Sequence, residues 1–141
     1  MPKLNALVAG STGYIGVQLI KLLIKHKNIN IKYLFFNSSA GKKISSYDTS
    51  LKSKKLTKIT KYNKKYLSYV DIIFTALPNG EAQLISKDLL KKNTLIDLAA
   101  DFRLNKASDY LKWYKKKHKA LSNIKNSIYA LPEITGKLVK I

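Results

Sequence analysis

The sequence predicts an α/β fold with a doubly wound, mostly parallel sheet and helices on both of its faces. Apolar runs of strand length alternate along the chain with amphipathic segments of helical length. A glycine-rich turn, GSTGYIG, joins the first apolar run to the first helical segment. No repeat or low-complexity linker divides the chain, so residues 1–141 are expected to form one domain.

The first half of the chain contains one predicted helix between predicted strands. Leu4 to Ala9 is an apolar run typical of a buried strand, and a helix is expected over Gly13 to Lys27. Ile31 to Phe36 is the second strand, which ends at the turn-forming residues Asn37 to Gly41. After that turn the signal is weak until position 65, with a short strand expected over Leu56 to Thr60.

The first helix should bury one face against the sheet, because its apolar residues recur at helical spacing. The expected inward stripe consists of Ile15, Leu19, Leu22 and Leu23. Lys21 and Lys25 are expected to face the solvent.

The second half continues the alternation. Val70 to Leu77 is a clear strand that ends at a proline, and Gly80 to Lys92 is predicted as a helix. Thr94 to Ala99 is the next strand, Ala107 to His118 the next helix, and Ser127 to Leu131 a last short strand.

The glycine turn has the composition of a dinucleotide-binding turn. Gly10 allows a tight bend after the strand, Gly13 allows a bulky anion to approach the backbone, and Gly16 allows the helix to pack closely on the sheet. The free N–H groups of the helix start suit a pyrophosphate, and Ser11 and Thr12 add hydroxyl donors. The spacing is GxxGxxG rather than GxGxxG, and a purely structural turn is the alternative.

The end of the second strand indicates which coenzyme binds. The segment YLFFNSSAGKK contains no acidic residue, whereas a carboxylate usually holds the free ribose 2′-hydroxyl of NAD. Hydroxyl, amide and cationic groups are present instead, at Asn37, Ser38, Ser39, Lys42 and Lys43. The sequence therefore favours NADP(H).

The charge of the chain raises the possibility of a polyanionic partner. The formal net charge is +19, and all but one of the 27 basic residues are lysines. These lysines are scattered through every polar segment, which favours a general compositional bias over a nucleic-acid site. The runs Lys52 to Lys65 and Lys112 to Lys119 would best represent such a site, and neither resembles a known nucleic-acid motif.

The absence of cysteine and of long apolar segments excludes several kinds of site and location. The chain contains no cysteine, which excludes disulfides, thiolate metal sites and thiol nucleophiles within these residues, and no metal site is expected. No signal peptide or run of roughly 20 apolar residues is present, so a cytoplasmic protein without membrane association is expected.

Three further motifs carry a resemblance to a known family. They are ALPNG at Ala76 to Gly80, DLAADFRL at Asp97 to Leu104, and YALPEI at Tyr129 to Ile134. Together with GSTGYIG and SAGKK, they resemble N-acetyl-γ-glutamyl-phosphate reductase, an NADPH-dependent oxidoreductase of arginine biosynthesis, in order and spacing. Aspartate-semialdehyde dehydrogenase, a relative with a similar glycine turn, is a poorer match.

The resemblance implies a Rossmann-like NADP-binding domain over residues 1–141, with the catalytic and substrate domain absent from this chain. In the family a cysteine thiolate attacks an acyl phosphate, the resulting thioester receives hydride from NADPH, and a histidine serves as acid/base. This chain has no cysteine, so no catalytic residue is assigned and the chain alone is expected to be inactive. The family also implies a small acyl-phosphate substrate and a homo-oligomer.

The coenzyme site implied by the motifs involves three segments. Its residues are Gly10, Ser11, Thr12, Gly13, Tyr14, Ile15, Gly16, Ser38, Ser39, Lys42, Leu77, Pro78 and Asn79. Tyr14 is expected either to pack on the coenzyme or to cover the helix start. The family often has histidine at the position of Asn79, and Phe36–Asn37 also departs from its usual pattern.

Arg103 is the one arginine of the chain, in the motif after the Thr94 to Ala99 strand. A guanidinium binds a carboxylate or phosphate through two parallel hydrogen bonds, so Arg103 is a candidate for orienting the acidic substrate or a neighbouring acid. The alternative is an internal ion pair with Asp97 or Asp101.

Four other side chains are assigned structural roles. His26 and His118 lie in lysine-rich segments and are expected to be solvated surface residues. Tyr110 and Trp113 are expected to lie in the core.

Besides the reductase domain, two functions stay open: a noncatalytic NADP-binding or regulatory domain, and, on charge alone, a nucleic-acid-binding protein.

Overall fold

A computed structural model describes residues 2–52 and 55–135, and it contains a five-stranded parallel sheet in the order β3-β2-β1-β4-β5. The strands are β1 (Leu4–Ala9), β2 (Ile29–Phe35), β3 (Ile59–Thr60), β4 (Ile72–Thr75) and β5 (Thr94–Asp97). The predicted α/β class and parallel sheet are confirmed.

Five α-helices and several short 3₁₀ turns connect and flank these strands in the described residues. The helices are α1 (Tyr14–Lys25), α2 (Glu81–Lys87), α3 (Ala107–Tyr114), α4 (Leu121–Ile124) and α5 (Pro132–Thr135). The 3₁₀ turns are Asn37–Ser39, Ile44–Ser46, Thr49–Leu51 and Lys64–Tyr69.

The alternating side chains of β1 supply a hydrophobic cluster on each face of the sheet. On one face Ala6 and Val8 pack with Ile20 of α1 and with the turns that carry Ile44 and Leu51. On the other face the cluster combines residues of the sheet, of the Lys64–Tyr69 turn and of α2: Leu7, Ala9, Ile73, Leu67 and Ile85. Helical elements therefore cover both faces, as predicted.

The strand order reverses direction between β1 and β4, which creates a topological switch point. The chain leaves β1 into the glycine turn and leaves β4 into the loop that begins at Ala76, whose N–H donates to the carbonyl oxygen of Ala9 at 2.9 Å. In open α/β sheets ligands bind in the crevice outside the strand carboxyl ends at such a point. The fold therefore brings two of the sequence motifs to one edge.

The inward stripe predicted for α1 is partly wrong. The buried residues of the helix are Gly16, Val17, Ile20 and Leu23, whereas Ile15 is 52% exposed and Leu22 is 69% exposed. Leu19 is half-buried against the core. The close approach of Gly16 to the turn after β1 rotates the helix, so that its apolar stripe is displaced by about one residue from the predicted one.

Several predicted boundaries also differ. The helix predicted to Lys92 ends at Lys87, because the Asn93 side chain accepts from Leu90 N–H and donates to the carbonyl oxygens of Leu67 and Val70. The helix predicted to His118 ends at Tyr114, because the next residue is left-handed, with φ of 55°.

The segment 127–131 pairs with no strand in the described residues, so the last predicted strand is wrong, and the short helix α4 that precedes it was not predicted.

Tyr110 is buried as expected and His26 is exposed as expected. Trp113 is 69% exposed, so its core assignment is wrong: it lies on the outer side of the amphipathic helix α3, three residues from the buried Tyr110.

Lys21 is half-buried rather than fully solvated, since its Nζ lies 2.6 Å from the Asp48 carboxylate. The hydrogen bond from Lys21, followed by those from the side chain and backbone of Ser50, lowers the pKa of Asp48 to about 2. A carboxyl group with a lowered folded-state pKa adds stability above its unfolded pKa near 3.8 and loses that stability as pH falls towards 2.

We therefore expect Asp48→Asn to flatten the acid limb of the stability curve. Urea denaturation at pH 6 and pH 2.5 measures the effect: the wild-type chain should lose more stability between these values than the variant. Equal losses in the two proteins would contradict the assignment of this ion pair.

Candidate functional site

The turn after β1 depends on glycine at its first position. Gly10 has φ of +81°, and a Cβ there would overlap the carbonyl group of Ala76. The N–H groups of Gly10 and Ser11 both donate to the carbonyl oxygen of Phe35, at 2.9 and 3.3 Å. The bend is thereby held against the ends of both β2 and β4.

Ser11 is fully buried, and its hydroxyl donates to the same Phe35 carbonyl at 3.4 Å. This hydroxyl is already engaged within the protein. Thr12 is half-buried, so of the two hydroxyl groups singled out from the sequence, that of Thr12 is the more accessible.

The other two glycines of the motif have different surroundings. A Cβ on Gly16 would overlap the carbonyl oxygen of Gly10, so the helix packs on the backbone of the turn rather than on the sheet as predicted. Gly13 has ordinary extended dihedrals, and a Cβ there would meet only the Gly10 carbonyl oxygen, at 3.6 Å. Nothing in the described protein requires glycine at position 13, which leaves room for a ligand as the reason.

The start of α1 has unpaired amides. Gly13 N–H donates to the Gly10 carbonyl at 3.2 Å, and the first helical bond runs from Val17 N–H to the Gly13 carbonyl at 2.9 Å. No side chain caps the helix, and in residues 2–52 and 55–135 the amides of Thr12, Tyr14, Ile15 and Gly16 have no acceptor. Unpaired N–H groups at the positive end of a helix dipole can bind an anion.

Two apolar side chains flank these amides. Tyr14 is 81% exposed and Ile15 is about half exposed, so neither covers the helix start. Of the two roles open for Tyr14, this exposure favours contact with a ligand.

The loop after β2 carries the residues expected near a 2′-phosphate. Ser38 and Lys42 are exposed, and residues 36–43 include no acidic residue. Ser39 is buried instead, and its hydroxyl accepts from Tyr47 at 2.6 Å. The loop lies beside the glycine turn because β2 is the neighbour of β1 in the sheet.

The loop after β4 borders an open cleft of about 450 Å³. Leu77 is buried, Pro78 is exposed and Asn79 is half-buried, so the accessible part of the motif is Pro78–Asn79. The cleft is lined by this loop, by the start of α2 and by three lysines, namely Pro78, Asn79, Gly80, Glu81, Leu84, Lys116, Lys117 and Lys119. Part of the Lys112–Lys119 run therefore lies next to the site.

Asp101 is fully buried at the centre of a hydrogen-bond network. Its two carboxylate oxygens accept from Gly80 N–H at 2.7 and 2.9 Å, and Oδ1 also accepts from the Tyr110 hydroxyl at 2.7 Å. His118 Nε2 lies 2.8 Å from the Asp101 carbonyl oxygen, and His118 Nδ1 accepts from Ala120 N–H at 3.1 Å.

The burial of His118 contradicts its assignment as a solvated residue. The left-handed residue Lys115 reverses the chain after α3, so that His118 packs edge-on against the rings of Phe102 and Tyr110. No local pattern in a run of five lysines, one tryptophan and one tyrosine indicates this contact.

Arg103 is exposed, with its guanidinium carbon 5.7 Å from the centre of the Tyr129 ring. Asp97 instead accepts from Thr75 Oγ1 at 2.8 Å and from two backbone N–H groups, and burial raises its pKa. Neither Asp97 nor Asp101 pairs with Arg103, so the internal ion pair considered as an alternative does not form. The guanidinium is free to meet a ligand.

Other classes of site find no support in the described part of the chain. It contains no group of three or more histidine, aspartate or glutamate side chains that could hold a metal ion. None of its helices combines the length and the apolar character needed to cross a membrane.

Comparison with known proteins gives a consistent result. The family described as semialdehyde dehydrogenase, NAD binding domain, matches residues 5–140. N-acetyl-gamma-glutamyl-phosphate reductase of Acinetobacter baylyi is 34% identical over 134 residues, which are 94% of this chain and 38% of that protein. The protein of the same name from a Psychrobacter species is 38% identical over 141 residues, which are 97% of this chain and 40% of that protein.

A solved structure, aspartate semialdehyde dehydrogenase with NADP from Candida albicans, superposes with a TM-score of 0.57 at 27% identity. The match covers 74% of this chain and 32% of that one. The chain thus spans about two fifths of the length of the curated relatives named above. The resemblance inferred from the five motifs is confirmed, and the chain belongs to the semialdehyde dehydrogenase family, whose NAD-binding domain it carries.

Proposed function

We propose that this chain binds NADPH across the carboxyl ends of β1 and β4, as the coenzyme-binding part of an N-acetyl-γ-glutamyl-phosphate reductase. The observation that carries the proposal is the set of acceptor-free amides at the start of α1, beside a glycine whose missing side chain the protein itself does not require. The relatives of that name support the choice of reaction.

The residues present fit the pyrophosphate of a dinucleotide. The amides of Thr12, Tyr14 and Ile15 supply donors, and Gly13 leaves the space above them open. Gly10 and Gly16 are needed for the turn itself, and the exposed Tyr14 ring lies where it can cover the bound group.

The loop after β2 fits a ribose 2′-phosphate better than a free 2′-hydroxyl. Ser38 and Lys42 offer a hydroxyl and a cation, and residues 36–43 contain no carboxylate that would repel the phosphate. The aspartate semialdehyde dehydrogenase that superposes on this chain was solved with NADP. Ser39 is buried against Tyr47, so we assign it to shaping the loop.

The nicotinamide half is assigned to the cleft beyond β4. Pro78 and Asn79 border it, with Leu77 buried beneath them. The bound coenzyme would supply a hydride to an acyl carbon, and Arg103, exposed after β5, would orient an acidic substrate.

The complete reaction needs a thiol to form the thioester, and these 141 residues contain none. We therefore propose that residues outside this sequence supply the nucleophile, and that the chain alone binds coenzyme without reducing an acyl phosphate. A homo-oligomer in the cytoplasm is also part of the proposal, carried by the resemblance alone.

The missing thiol also favours a second candidate, a noncatalytic NADP-binding domain. The DNA downstream of this sequence separates the two candidates. A reading frame that begins with a cysteine-containing segment of the reductase family supports the reductase, and its absence favours the noncatalytic domain.

NADPH titration tests the proposal directly. We expect the folded chain to bind NADPH with a dissociation constant below the millimolar range, and to bind NADH roughly tenfold more weakly, since one charge-assisted contact is lost. Lys42→Glu should remove most of this preference. Lys27→Glu, an equal charge change beyond the far end of α1, is the matched control and should preserve it.

Enhancement of NADPH fluorescence in low-salt buffer measures both affinities. Indifference of well-folded protein to millimolar NADPH would overturn the proposed function. Equal affinity for NADPH and NADH would overturn only the assignment of the 2′-phosphate.

A further inference from the structure

Asp101 is an unusual buried residue. It has no exposed surface, and in the part of the chain that the structure describes its carboxylate has no cationic partner. Burying a carboxylate without a counter-charge is costly unless several hydrogen bonds are directed at it. Here those bonds come from Gly80 N–H, to both oxygens, and from the Tyr110 hydroxyl.

The Gly80 bond holds a left-handed turn at the edge of the proposed coenzyme cleft. Gly80 has φ of +101°, a left-handed conformation, and it links Asn79 to the first residue of α2. A second hydrogen bond holds the same turn: Lys116 Nζ donates to the Asn79 carbonyl oxygen at 3.1 Å. Both bonds are made by the Asn79–Gly80 peptide group, one at its N–H and one at its carbonyl oxygen, so together they set the direction in which it faces.

The other side of Asp101 is anchored in a buried aromatic cluster. Tyr110 is fully buried, its ring centre lies 5.0 Å from that of His118, and burial followed by the bond to Asp101 raises the pKa of its hydroxyl. The hydroxyl therefore stays protonated and remains a donor. On the same side, His118 Nε2 lies within hydrogen-bonding distance of the Asp101 carbonyl oxygen.

The network thus joins the loop after β5, α3 with the segment that follows it, and the turn after β4. The turn borders the cleft, together with Lys116, Lys117 and Lys119 of the segment after α3. Burying the Asp101 carboxylate costs free energy, and both of its oxygens accept a hydrogen bond from the turn at the cleft. A role in orienting that turn explains why a carboxylate stands at this buried position.

We propose that Asp101 is a positioning residue, which holds the Asn79–Gly80 peptide group in the orientation that the nicotinamide half of the coenzyme meets. This inference rests on the proposed function. Asp101 itself touches no ligand, and the glycine turn and the Ser38–Lys42 loop are independent of it. Loss of the carboxylate should therefore weaken binding of the whole coenzyme and spare binding of its adenosine half.

The test compares NADPH with 2′,5′-ADP, which carries the adenosine and 2′-phosphate but no nicotinamide. Asp101→Asn keeps the size of the side chain but leaves one acceptor oxygen in place of two. We expect its affinity for NADPH to fall roughly fivefold, about the effect of one lost hydrogen bond, and its affinity for 2′,5′-ADP to stay within about twofold of wild type.

Two further variants separate orientation from stability. Tyr110→Phe removes the second bond to the carboxylate while leaving the Gly80 contact, and should change NADPH affinity in the same direction by a smaller factor. Ile20→Val removes one buried methylene in α1, far along the chain from this network, and should reduce stability without changing either affinity.

Calorimetry with both ligands on each variant of the 141-residue chain distinguishes the outcomes. Wild-type protein that binds neither ligand overturns the proposed function. Wild-type protein that binds both, with Asp101→Asn changing both affinities equally or neither, overturns the positioning role. Should Asp101→Asn fail to fold, Tyr110→Phe decides alone: a selective loss of NADPH affinity supports the inference, and unchanged affinity overturns it.

Discussion

Replacing Gly16 with alanine should destabilise the protein by about 3 kcal/mol or more, a large share of the roughly 5–15 kcal/mol that stabilises an ordinary domain. The added Cβ would overlap the Gly10 carbonyl oxygen and lie 2.9 Å from the Gly10 carbonyl carbon and 3.0 Å from Ser11 Cα. All three are backbone atoms of a turn held by two hydrogen bonds to Phe35, so no side-chain rotation can relieve the contact.

Helix propensity alone predicts the opposite sign for the change in stability caused by Gly16→Ala. Alanine in a helix is favoured over glycine by about 1 kcal/mol, so Gly16→Ala would stabilise the protein if the close contact were absent. Urea denaturation of the wild-type and variant chains gives the answer. Gln18→Ala, at an exposed position of the same helix, is the control and should change stability by less than about 0.5 kcal/mol. A variant at position 16 as stable as wild type would show that the helix does not approach the turn as described.

The same contact explains which parts of the fold could be predicted from sequence. The existence of β1, β2, β4 and β5 follows from local apolar runs, whereas β3 is only weakly indicated, and the bounds of β1 agree residue by residue. The rotation of α1 does not follow from its own pattern, because it depends on Gly16 meeting a turn that precedes the helix. Ile15 and Leu22 were therefore assigned to the wrong face.

The candidate site likewise has one part that local sequence predicts and another that only the folded chain reveals. The glycine turn and the absence of acidic residues from positions 36–43 are local signals, readable in consecutive residues. The network around Asp101 joins positions 80, 101, 110 and 118, which only the folded chain brings together. A histidine in a lysine-rich run carries no mark of burial, and the exposed apolar residues of segment 127–131 resemble a strand although no neighbour pairs with them.

Gly13→Ala should have the converse effect to Gly16→Ala, leaving the fold intact and removing coenzyme binding. Its φ of −71° and ψ of 163° suit alanine, and the new Cβ would have only one neighbour, 3.6 Å away. The weaker capping of alanine and the reduced freedom of the unfolded chain oppose each other, so stability should change by less than about 1 kcal/mol.

The methyl group should nevertheless take up space that the pyrophosphate needs, if the pyrophosphate lies at the neighbouring free amides of Tyr14 and Ile15 as proposed. Losing two charge-assisted hydrogen bonds corresponds to roughly a hundredfold weaker binding of NADPH. Urea denaturation and NADPH titration of the same preparation measure both quantities. If affinity for NADPH is unchanged in this folded variant, the helix start is a structural turn and the coenzyme must be sought elsewhere; if affinity collapses while stability holds, the glycine at position 13 is explained by the ligand rather than by the fold.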